Sequence, residues 1–493
     1  MERLISFCGL FVMIGLAWLM SSHKRKIQFR VIIGGLLLQF FFAVLILKTT
    51  PGAVIFKGIG DFFTTVIRSA DAGSLFMFEA NAEIEVPVLL DGVKCDFRGI
   101  RDNLDKPIRD VVARLKGREG TVQITVGDAT REFDLDDASW EKEVSYAIAT
   151  EVEAFREKNF PRTRQLLTSF AFGVLPTIIF FSALMTVLYY LGVMQRVVAF
   201  FAWIMQRTLG TSGAESLSAA ANIFVGQTEA PLAIRPYVGR MTMSELNAVM
   251  VGGFATIAGG VLAAYVQMGI PAGHLVTASF ISAPAALLIA KVMQPETEHS
   301  MTMGHVELEV EEKDANLIEA AAKGAADGLK LALNVGAMLI AFLAFIALFN
   351  TALGAMGGYI NSLWGQQWEW SLERGLSYLF WPLAWIMGIP KNECFLAGEL
   401  LGIKMVANEF IAYDKLSRWI DTGAASPLSE RSVRILTYAL CGFANFGSIG
   451  IQLGGIGVIA PQRRGDLARL GLRAMIGGTL AAFMTACVAG VLV

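Results

Sequence analysis

The chain has 493 residues, of which 54% are apolar and only 17% are charged, and its formal net charge is −2. A typical soluble domain carries about 25% charged residues, and a run of about 20 apolar residues is long enough to cross a bilayer. Several such runs occur, so we expect a membrane protein with many spans. The small net charge gives no indication of a nucleic-acid partner, and the five cysteines show no metal-ligand spacing.

Eight apolar stretches are candidates for membrane-spanning helices. They lie near residues 4–21, 29–48, 166–193, 244–268, 274–293, 330–352, 432–458 and 468–492. The first stretch lacks a small-residue cleavage site, and its basic cluster follows the apolar run instead of preceding it. We therefore interpret it as a span and not as a signal peptide.

Residues 1–79 form the first predicted region, which contains two spans and one further helix. Between residues 52 and 70, apolar side chains recur at helical spacing with charged residues between them. This pattern predicts an amphipathic helix at the outer membrane interface, with a short third span as the alternative.

Residues 80–162 are polar and charged, and they predict a small soluble α+β insert. Two hairpins are expected, with turns at Asp91-Gly92 and Gly127-Asp128. The hairpin strands are expected at 83–90, 93–97, 121–126 and 131–135, and helices at 105–116 and 138–159. The insert shows no catalytic constellation, so an inert or assembly-supporting role is favoured over an enzymatic one.

The basic residues between the first two spans predict the orientation of the chain. Lys24, Arg25, Lys26 and Arg30 place this short loop in the cytoplasm. The N-terminus and the insert are then outside, and the acidic loop at 295–328 is a cytoplasmic linker. We expect an integral plasma-membrane protein, with the bacterial inner membrane as its location.

Two further apolar segments, near 211–240 and 380–413, are too rich in Gly, Pro and polar residues to be ordinary spans. Irregular backbone at membrane depth is tolerated only where it is buried in protein or lines a wet cavity, so both segments are predicted to be re-entrant hairpins. The first carries Gln227, Thr228 and Glu229 side by side, and the second ends with Glu409. An ionisable residue at membrane depth marks a functional site by default.

A glycine-rich span follows each hairpin, at residues 252–260 and 441–450. A hairpin with a broken span, occurring twice, is typical of an inverted-repeat transporter whose site lies where the repeats meet. Residues 163–493 are therefore the predicted transporter core. The expected fold is an all-α polytopic membrane protein with about eight transmembrane helices, two re-entrant hairpins in an inverted repeat, and the α+β insert.

The polar residues of the hairpins and broken spans indicate the class of substrate. Carboxylates, carboxamides and hydroxyls, with no Arg or Lys among them, suit a neutral polyol or nucleoside better than an anion. Val261 and Phe443 offer apolar walls. A bound cation would offset the buried carboxylates, and freed carbonyls at a broken helix can coordinate Na⁺. The candidate sodium ligands are Asn222, Val225, Thr256 and Ile257.

Three separated motifs carry a resemblance to a known family. They are Gly226-Gln-Thr-Glu-Ala-Pro231 with Arg235-Pro236, then Asn408-Glu-Phe410, and Cys441-Gly-Phe-Ala-Asn445. They resemble the signatures of the concentrative nucleoside transporters over about residues 166–493, with a looser fit over 1–78. The resemblance implies a homotrimer, a scaffold domain, and a mobile domain that imports nucleosides by alternating access. The Gln-Thr-Glu-Ala-Pro form resembles the sodium-coupled branch, with proton coupling as the alternative.

The resemblance also implies individual residue roles. The base would be met by Gln227, Thr228, Glu229 and Val261. The ribose would be met by Glu409, Asn445 and Ser448, with Phe443 nearby. Sodium would be bound by Asn222, Val225, Thr256 and Ile257. Two features depart from the family pattern: the 80–162 insert is not part of its usual core, and Gly447 stands where a serine is common.

Two functions from other classes remain as rivals. A membrane enzyme acting on a lipid would need an acid/base pair or metal-binding carboxylates near the interface, and a basic patch for a phosphate. A passive channel could not accumulate solute. We expect a transporter without enzymatic activity.

Overall fold

The computed structural model describes residues 2–50, 170–303, 315–365, 368–421 and 426–493, single positions between 52 and 73, and most of 84–159. The chain divides into two compact units. The larger contains Met1–Ala70 with Val174–Val493, and the smaller is Asp71–Gly173.

The secondary structure in chain order is mostly helical. The elements are α1 (Glu2–Leu19), α2 (Phe29–Lys48), β1 (Ile84–Glu85), β2 (Val88–Leu90), β3 (Val93–Cys95), β4 (Arg98–Gly99), α3 (Asp105–Leu115), β5 (Thr121–Val126), β6 (Ala129–Asp134), α4 (Trp140–Asn159), α5 (Phe170–Tyr190), α6 (Val193–Leu209), α7 (Gly213–Ala221), α8 (Arg235–Val238), α9 (Met243–Ala255), α10 (Gly259–Gln267), α11 (Ala272–Met293), α12 (Leu317–Trp364), α13 (Leu372–Ile386), α14 (Cys394–Val406), α15 (Glu409–Asp421), α16 (Glu430–Leu440), α17 (Phe446–Ile459) and α18 (Arg464–Leu492).

Six helices in the described ranges are long and apolar enough to cross a bilayer, with α9 and α10 counted as one. The helices α5, from Val174, and α6 bend by 79° against each other and make a seventh candidate. These elements coincide with seven of the eight expected spans. The eighth, at 432–458, consists of the two short helices α16 and α17, with a break inside the glycine-rich segment expected at 441–450.

Helix α6 was not predicted from the sequence. Its buried side chains, Met194, Val198, Ala202, Met205 and Leu209, recur every three or four residues. This spacing produces one buried stripe on an otherwise exposed helix, on which Trp203 is 59% exposed. The sequence analysis left residues 194–210 unassigned, between the span expected at 166–193 and the hairpin expected at 211–240.

Helix α12 is longer than expected, because residues 317–328 were predicted to be loop. It has 48 residues, which at 1.5 Å per residue is about 72 Å. Asn316 begins the helix by accepting a hydrogen bond from Glu319 N at 2.9 Å. Its few buried residues are small, and a Cβ on Gly324 would lie 2.7 Å from Ala183 Cα of α5. The rest of α12 presents a large apolar surface.

The segment expected to form the first hairpin contains α7, an irregular tip and short helical turns. Ser212 and Glu215 form a capping box at the start of α7. The tip runs from Asn222 to Glu229 and leads into a 3₁₀ turn at Ala230–Ile234, which has a proline in its first turn. Pro231 donates no hydrogen bond, so it is tolerated there.

The second hairpin lies further along the chain than the expected 380–413. Helices α14 and α15 fold back on each other at the break at Ala407-Asn408. The ion pair between Lys415 of α15 and Glu399 of α14 shows that the two arms lie side by side. The arms are therefore Cys394–Val406 and Glu409–Asp421. Glu409 lies at the tip of this hairpin and not at its end.

A buried charged cluster anchors the base of the first hairpin. Lys291 of α11 lies 2.7 Å from the Glu215 carboxylate and donates to Ser244 Oγ at 2.9 Å. Glu215 in turn accepts from Ser212 N at 2.6 Å. The hairpin is thus tied to α11 by an ion pair that is almost fully buried.

The described part of the smaller unit contains a two-stranded antiparallel sheet, β1 with β4, a four-stranded antiparallel sheet, and the helices α3 and α4. The strand order is β3-β2-β5-β6, with Leu90 paired to Val93 and Val126 to Ala129. Apolar side chains of the strands and helices form its core, including Val88, Ile124, Val111 and Ile148. The expected turns at 91–92 and 127–128, and most of the expected interfacial helix at 52–70, lie outside the described residues.

Candidate functional site

The tip of the first hairpin closes on itself around Gly226. Its carbonyl accepts from Glu229 N at 3.1 Å and from Ala230 N at 3.0 Å. The Glu229 carboxylate accepts from Gly226 N at 2.8 Å. These contacts hold Gln227 and Thr228 in a tight turn, where Gln227 is buried and Thr228 is half-buried.

The hairpin tip contacts the break between α9 and α10. Helix α9 ends at Ala255, the backbone of the next residue, Thr256, is extended, and α10 begins at Gly259. Gly259 N donates to the Phe224 carbonyl at 3.0 Å. The glycine is needed, because a Cβ there would lie 2.7 Å from that carbonyl oxygen.

The two broken helices meet at their breaks. Between α16 and α17, Gly442 has φ = +126°, and a Cβ on it would lie 2.8 Å from Phe254 O. The next residue, Phe443, donates its N–H to the Thr256 carbonyl at 3.3 Å. Only glycine combines this φ with so close an approach. A glycine at position 442 is therefore required for the two broken helices to cross at this distance.

Glu409 is the centre of a buried polar network beside this crossing. Its two carboxylate oxygens accept from Tyr265 OH and from Asn445 Nδ2, each at 3.1 Å. Asn445 also caps α17 by accepting from Ser448 N at 2.9 Å. Glu409 is 2% exposed, and the structure thus brings Glu409, Asn445 and Ser448 together.

A second polar contact joins the two halves through amides. Gln452 of α17 donates through Nε2 to Gln227 Oε1 at 3.1 Å and to the Met250 carbonyl at 3.0 Å. Gln452 is fully buried. This contact links the first hairpin to the second broken span across 225 positions of sequence.

The remaining candidate residues lie around these two networks. Val261 is buried on α10 and Phe443 is half-buried at the second break. Glu229, in contrast, is exposed, and it interacts electrostatically with Tyr189 of α5 and Asp327 of α12. The structure therefore does not bring Glu229 into the buried network of Glu409.

Two of the four sodium candidates, Asn222 and Thr256, lie beside Gly252. Asn222 is 1% exposed, and within the described part of the chain neither atom of its amide has a hydrogen-bond partner. A Cβ on Gly252 would lie 3.3 Å from Asn222 Nδ2, and Thr256 Oγ1 donates to the Gly252 carbonyl at 2.9 Å. Ile257 is buried at the break, and Val225 is half-buried at the hairpin tip.

Two residues of these networks, Tyr265 and Gln452, were not predicted from the sequence. Tyr265 lies one helical turn after Val261, so its position on the same face of α10 could have been inferred. Gln452 lies one helical turn after Ser448, so its position on that face of α17 could be inferred, but its contact with Gln227 could not, because the two residues are far apart in the sequence.

The expectation that no Lys or Arg lies among the polar residues is wrong. Lys404 is 1% exposed, donates to the Ala439 carbonyl at 2.9 Å, and interacts electrostatically with Glu409. It is the lone cation of the apolar helix α14, and an ionisable residue in that setting is itself a signal of function. The site is therefore not purely anionic.

Three family models match the chain. They are the N-terminus of the Na⁺ dependent nucleoside transporters at residues 8–81, a nucleoside recognition gate at 171–272, and the C-terminus of the same transporters at 274–490. The segment between 81 and 171, which contains the insert, is left unmatched by these models.

Relatives and solved structures extend the similarity over the whole chain. Solute carrier family 28 member 3 of Eptatretus stoutii is 40% identical over all of this chain, which spans 61% of that protein's length. An uncharacterised transporter of Haemophilus influenzae is 40% identical, with 98% of its length covered. CNTnw, solved in an inward-facing substrate-bound state, matches with a TM-score of 0.76 and 37% identity, covering 100% of this chain and 98% of that one. CNTnw with two substitutions, solved in an outward-facing state, matches equally well.

These matches confirm the helical membrane-protein fold and the family inferred from the motifs, and the family is one of transporters and not of enzymes. The chain belongs to the Na⁺ dependent, or concentrative, nucleoside transporter family.

Proposed function

We propose that this protein imports nucleosides in symport with Na⁺ by alternating access. The family assignment supports the transported class and the ion. The inward-facing and outward-facing states of CNTnw support alternating access. The observation that carries the proposal is the buried Glu409 carboxylate beside the crossing of the two broken helices.

The substrate site lies at that crossing. Glu409, Asn445 and Ser448 bind the ribose, because a buried carboxylate accepts hydrogen bonds from neighbouring hydroxyls more strongly than a neutral group does. Phe443 provides an apolar wall on this side. The base is bound from the first hairpin and α10, by Gln227, Thr228, Glu229 and Val261.

The sodium ion binds next to the hairpin tip. The unpartnered amide of Asn222 fits this role, because a buried polar group without a partner costs about 1–3 kcal/mol and Na⁺ would satisfy its oxygen. The side chain of Thr256 and the carbonyls of Val225, Thr256 and Ile257 complete the ligand set. The ion thereby orders the hairpin tip that presents Gln227 and Thr228 to the base.

Sodium and nucleoside binding are then thermodynamically linked. Each ligand raises the affinity for the other by the same factor. Equilibrium binding of labelled uridine to purified protein, in Na⁺ and in an equal concentration of choline, tests this linkage.

The variant Asn222→Leu removes the proposed sodium ligand, and Asn247→Leu is its matched control. Asn247 is a buried amide of α9 that donates to the Ala290 carbonyl away from the site. We expect Na⁺ to tighten uridine binding in the unmodified protein and in the control, but not in Asn222→Leu. Equal Na⁺ dependence in all three proteins would remove Asn222 from the ion site.

Proton coupling is the second candidate, with Glu229 or Glu409 as the proton carrier, and its burial favours Glu409 in that role. Uridine binding that ignores Na⁺ but tightens with decreasing pH would support it.

We further propose that the protein is a homotrimer in the bacterial inner membrane, with its N-terminus and the insert outside. The exposed apolar face of α12, which includes Ile340, Leu348 and Leu363, requires cover by lipid or by other subunits. Light scattering of the purified protein with its bound detergent subtracted measures the subunit number, and a monomer would contradict the trimer.

A further inference from the structure

The amide of Gln452 has only one possible orientation. The Met250 carbonyl can only accept a hydrogen bond, so the atom of Gln452 that faces it at 3.0 Å must be Nε2. The second hydrogen of the same nitrogen is directed to the Gln227 side chain, 3.1 Å away. The remaining atom, Gln452 Oε1, is buried and has no hydrogen-bond partner in the described ranges.

This orientation determines which end of the Gln227 amide is left for a ligand. Because Gln452 donates, Gln227 must present Oε1 to it, and its own Nε2 points the other way. Gln227 retains 6% of its surface exposed, whereas Gln452 is fully buried. The atom that Gln227 offers from the hairpin tip is therefore an amide nitrogen with two hydrogens to donate.

Gly253 leaves the space in which the two amides meet. A Cβ at this position would lie 2.7 Å from Gln452 Nε2 and 2.9 Å from Gln227 Cβ. Contacts this short are not tolerated, so any larger residue would push the amides apart. The Met250 carbonyl thus fixes Gln452 by a hydrogen bond, and the absence of a side chain at Gly253 leaves room for the two amides to contact each other.

We propose that Gln452 is a positioning residue that fixes the Gln227 amide with its N–H donors towards the base, and so favours bases that present a carbonyl over those that present an amine. The inference rests on the proposed function, since it assumes that Gln227 meets the base. The neighbouring Thr228 hydroxyl can both donate and accept, so it cannot make this distinction.

The test uses two matched pairs of nucleosides. The pairs are uridine with cytidine and inosine with adenosine. In each pair the first base has a carbonyl beside a protonated ring nitrogen, and the second has an amine beside an unprotonated ring nitrogen. Equilibrium dissociation constants for all four are measured in saturating Na⁺ with the purified full-length protein. The readout is the ratio of dissociation constants within each pair, which a general loss of structure does not shift in one direction.

Two variants of Gln452 test the orientation. Gln452→Glu replaces the donor by a group that accepts, so Gln227 turns to donate Nε2 to it and presents Oε1 to the base. We expect both ratios to shift towards the amine-bearing nucleoside by about tenfold, the scale of one buried hydrogen bond made or broken. Gln452→Leu removes the constraint, and it should shift the ratios in the same direction by less.

Controls separate orientation from damage to the fold. Gly253→Ala keeps both amides but separates them, so it should shift the ratios in the direction expected for Gln452→Leu, and it tests the proposal even if the variants of Gln452 do not fold. Asn247→Asp makes the same amide-to-acid change at a buried amide outside the site, and it should leave both ratios unchanged.

Two results would overturn the positioning role but not the proposed function. The first is ratios that stay within twofold of the unmodified protein in the folded variants. The second is affinities that decrease equally for all four nucleosides. Failure of the unmodified protein to bind any nucleoside would overturn the proposed function, and this inference with it.

Discussion

Glu409 is the residue on which the proposed substrate site depends most. Its carboxylate is buried, yet it receives two hydrogen bonds, from Tyr265 and Asn445, and a cation, Lys404, lies near it. Burying a charge is costly unless it is paired and hydrogen-bonded. The network therefore keeps a strong acceptor in place where the two repeats meet.

We expect Glu409→Gln to weaken uridine binding on the order of 10- to 100-fold, because hydrogen bonds to a charged group contribute about 1.5–3 kcal/mol. Isothermal titration of the purified protein measures the loss. Elution volume and thermal stability should stay close to those of the unmodified protein, since the amide preserves the shape. Unaltered uridine affinity in a well-folded variant would exclude Glu409 from the substrate site.

At the scale of elements, the irregular segments are what set the site. Breaks at 256–258 and 441–445 let two helices cross at backbone distance, and the hairpin tips meet them there. These interruptions could be predicted, because Gly and Pro within apolar runs weaken helices. Helix α12 was predicted only in part, because its span at 330–352 was expected but residues 317–328 were assigned to the acidic loop that precedes it.

Gly442 should be intolerant of any side chain. Gly442→Ala requires a residue with a Cβ at φ = +126° and brings that atom to 2.8 Å from Phe254 O. Backbone strain of this kind costs about 1–3 kcal/mol. We expect a lower midpoint of thermal unfolding in detergent and a loss of uridine binding.

Gly450→Ala is the control for Gly442→Ala. Position 450 lies within α17, and a Cβ there would contact nothing within 4 Å. This variant should keep its stability and its binding. Equal midpoints for the two alanine variants would show that the close crossing of the helices is not required.

The ion pair between Lys291 and Glu215 should be essential for the first hairpin. Lys291→Met leaves the Glu215 carboxylate buried without its cation, and removing one partner of a buried pair costs about 3–5 kcal/mol. Hydrogen exchange monitored by mass spectrometry should show faster exchange of residues 213–221. Lys330→Met, in an exposed pair with Asp327, is the control and should change little. Unchanged protection in Lys291→Met would show that the hairpin is anchored by other contacts.

At the scale of the whole molecule, the order of hairpins and broken spans could be predicted from the sequence, and so could the grouping of Glu409, Asn445 and Ser448. The contacts that site residues make with distant parts of the chain could not be predicted. The contact between Gln227 and Gln452, the docking of Lys404 on Ala439 and the exposure of Glu229 depend on how distant segments pack. Local patterns of hydrophobicity and turn residues carry no information about those distances.

Sodium-coupled import is tested by the uptake of labelled uridine into proteoliposomes at fixed pH, with and without an inward Na⁺ gradient. We predict accumulation above the external concentration only when the Na⁺ gradient is present, because the ion supplies the free energy for concentrating the solute. Accumulation driven by a pH gradient alone, or no uptake of any nucleoside by folded protein, would contradict sodium-coupled nucleoside import.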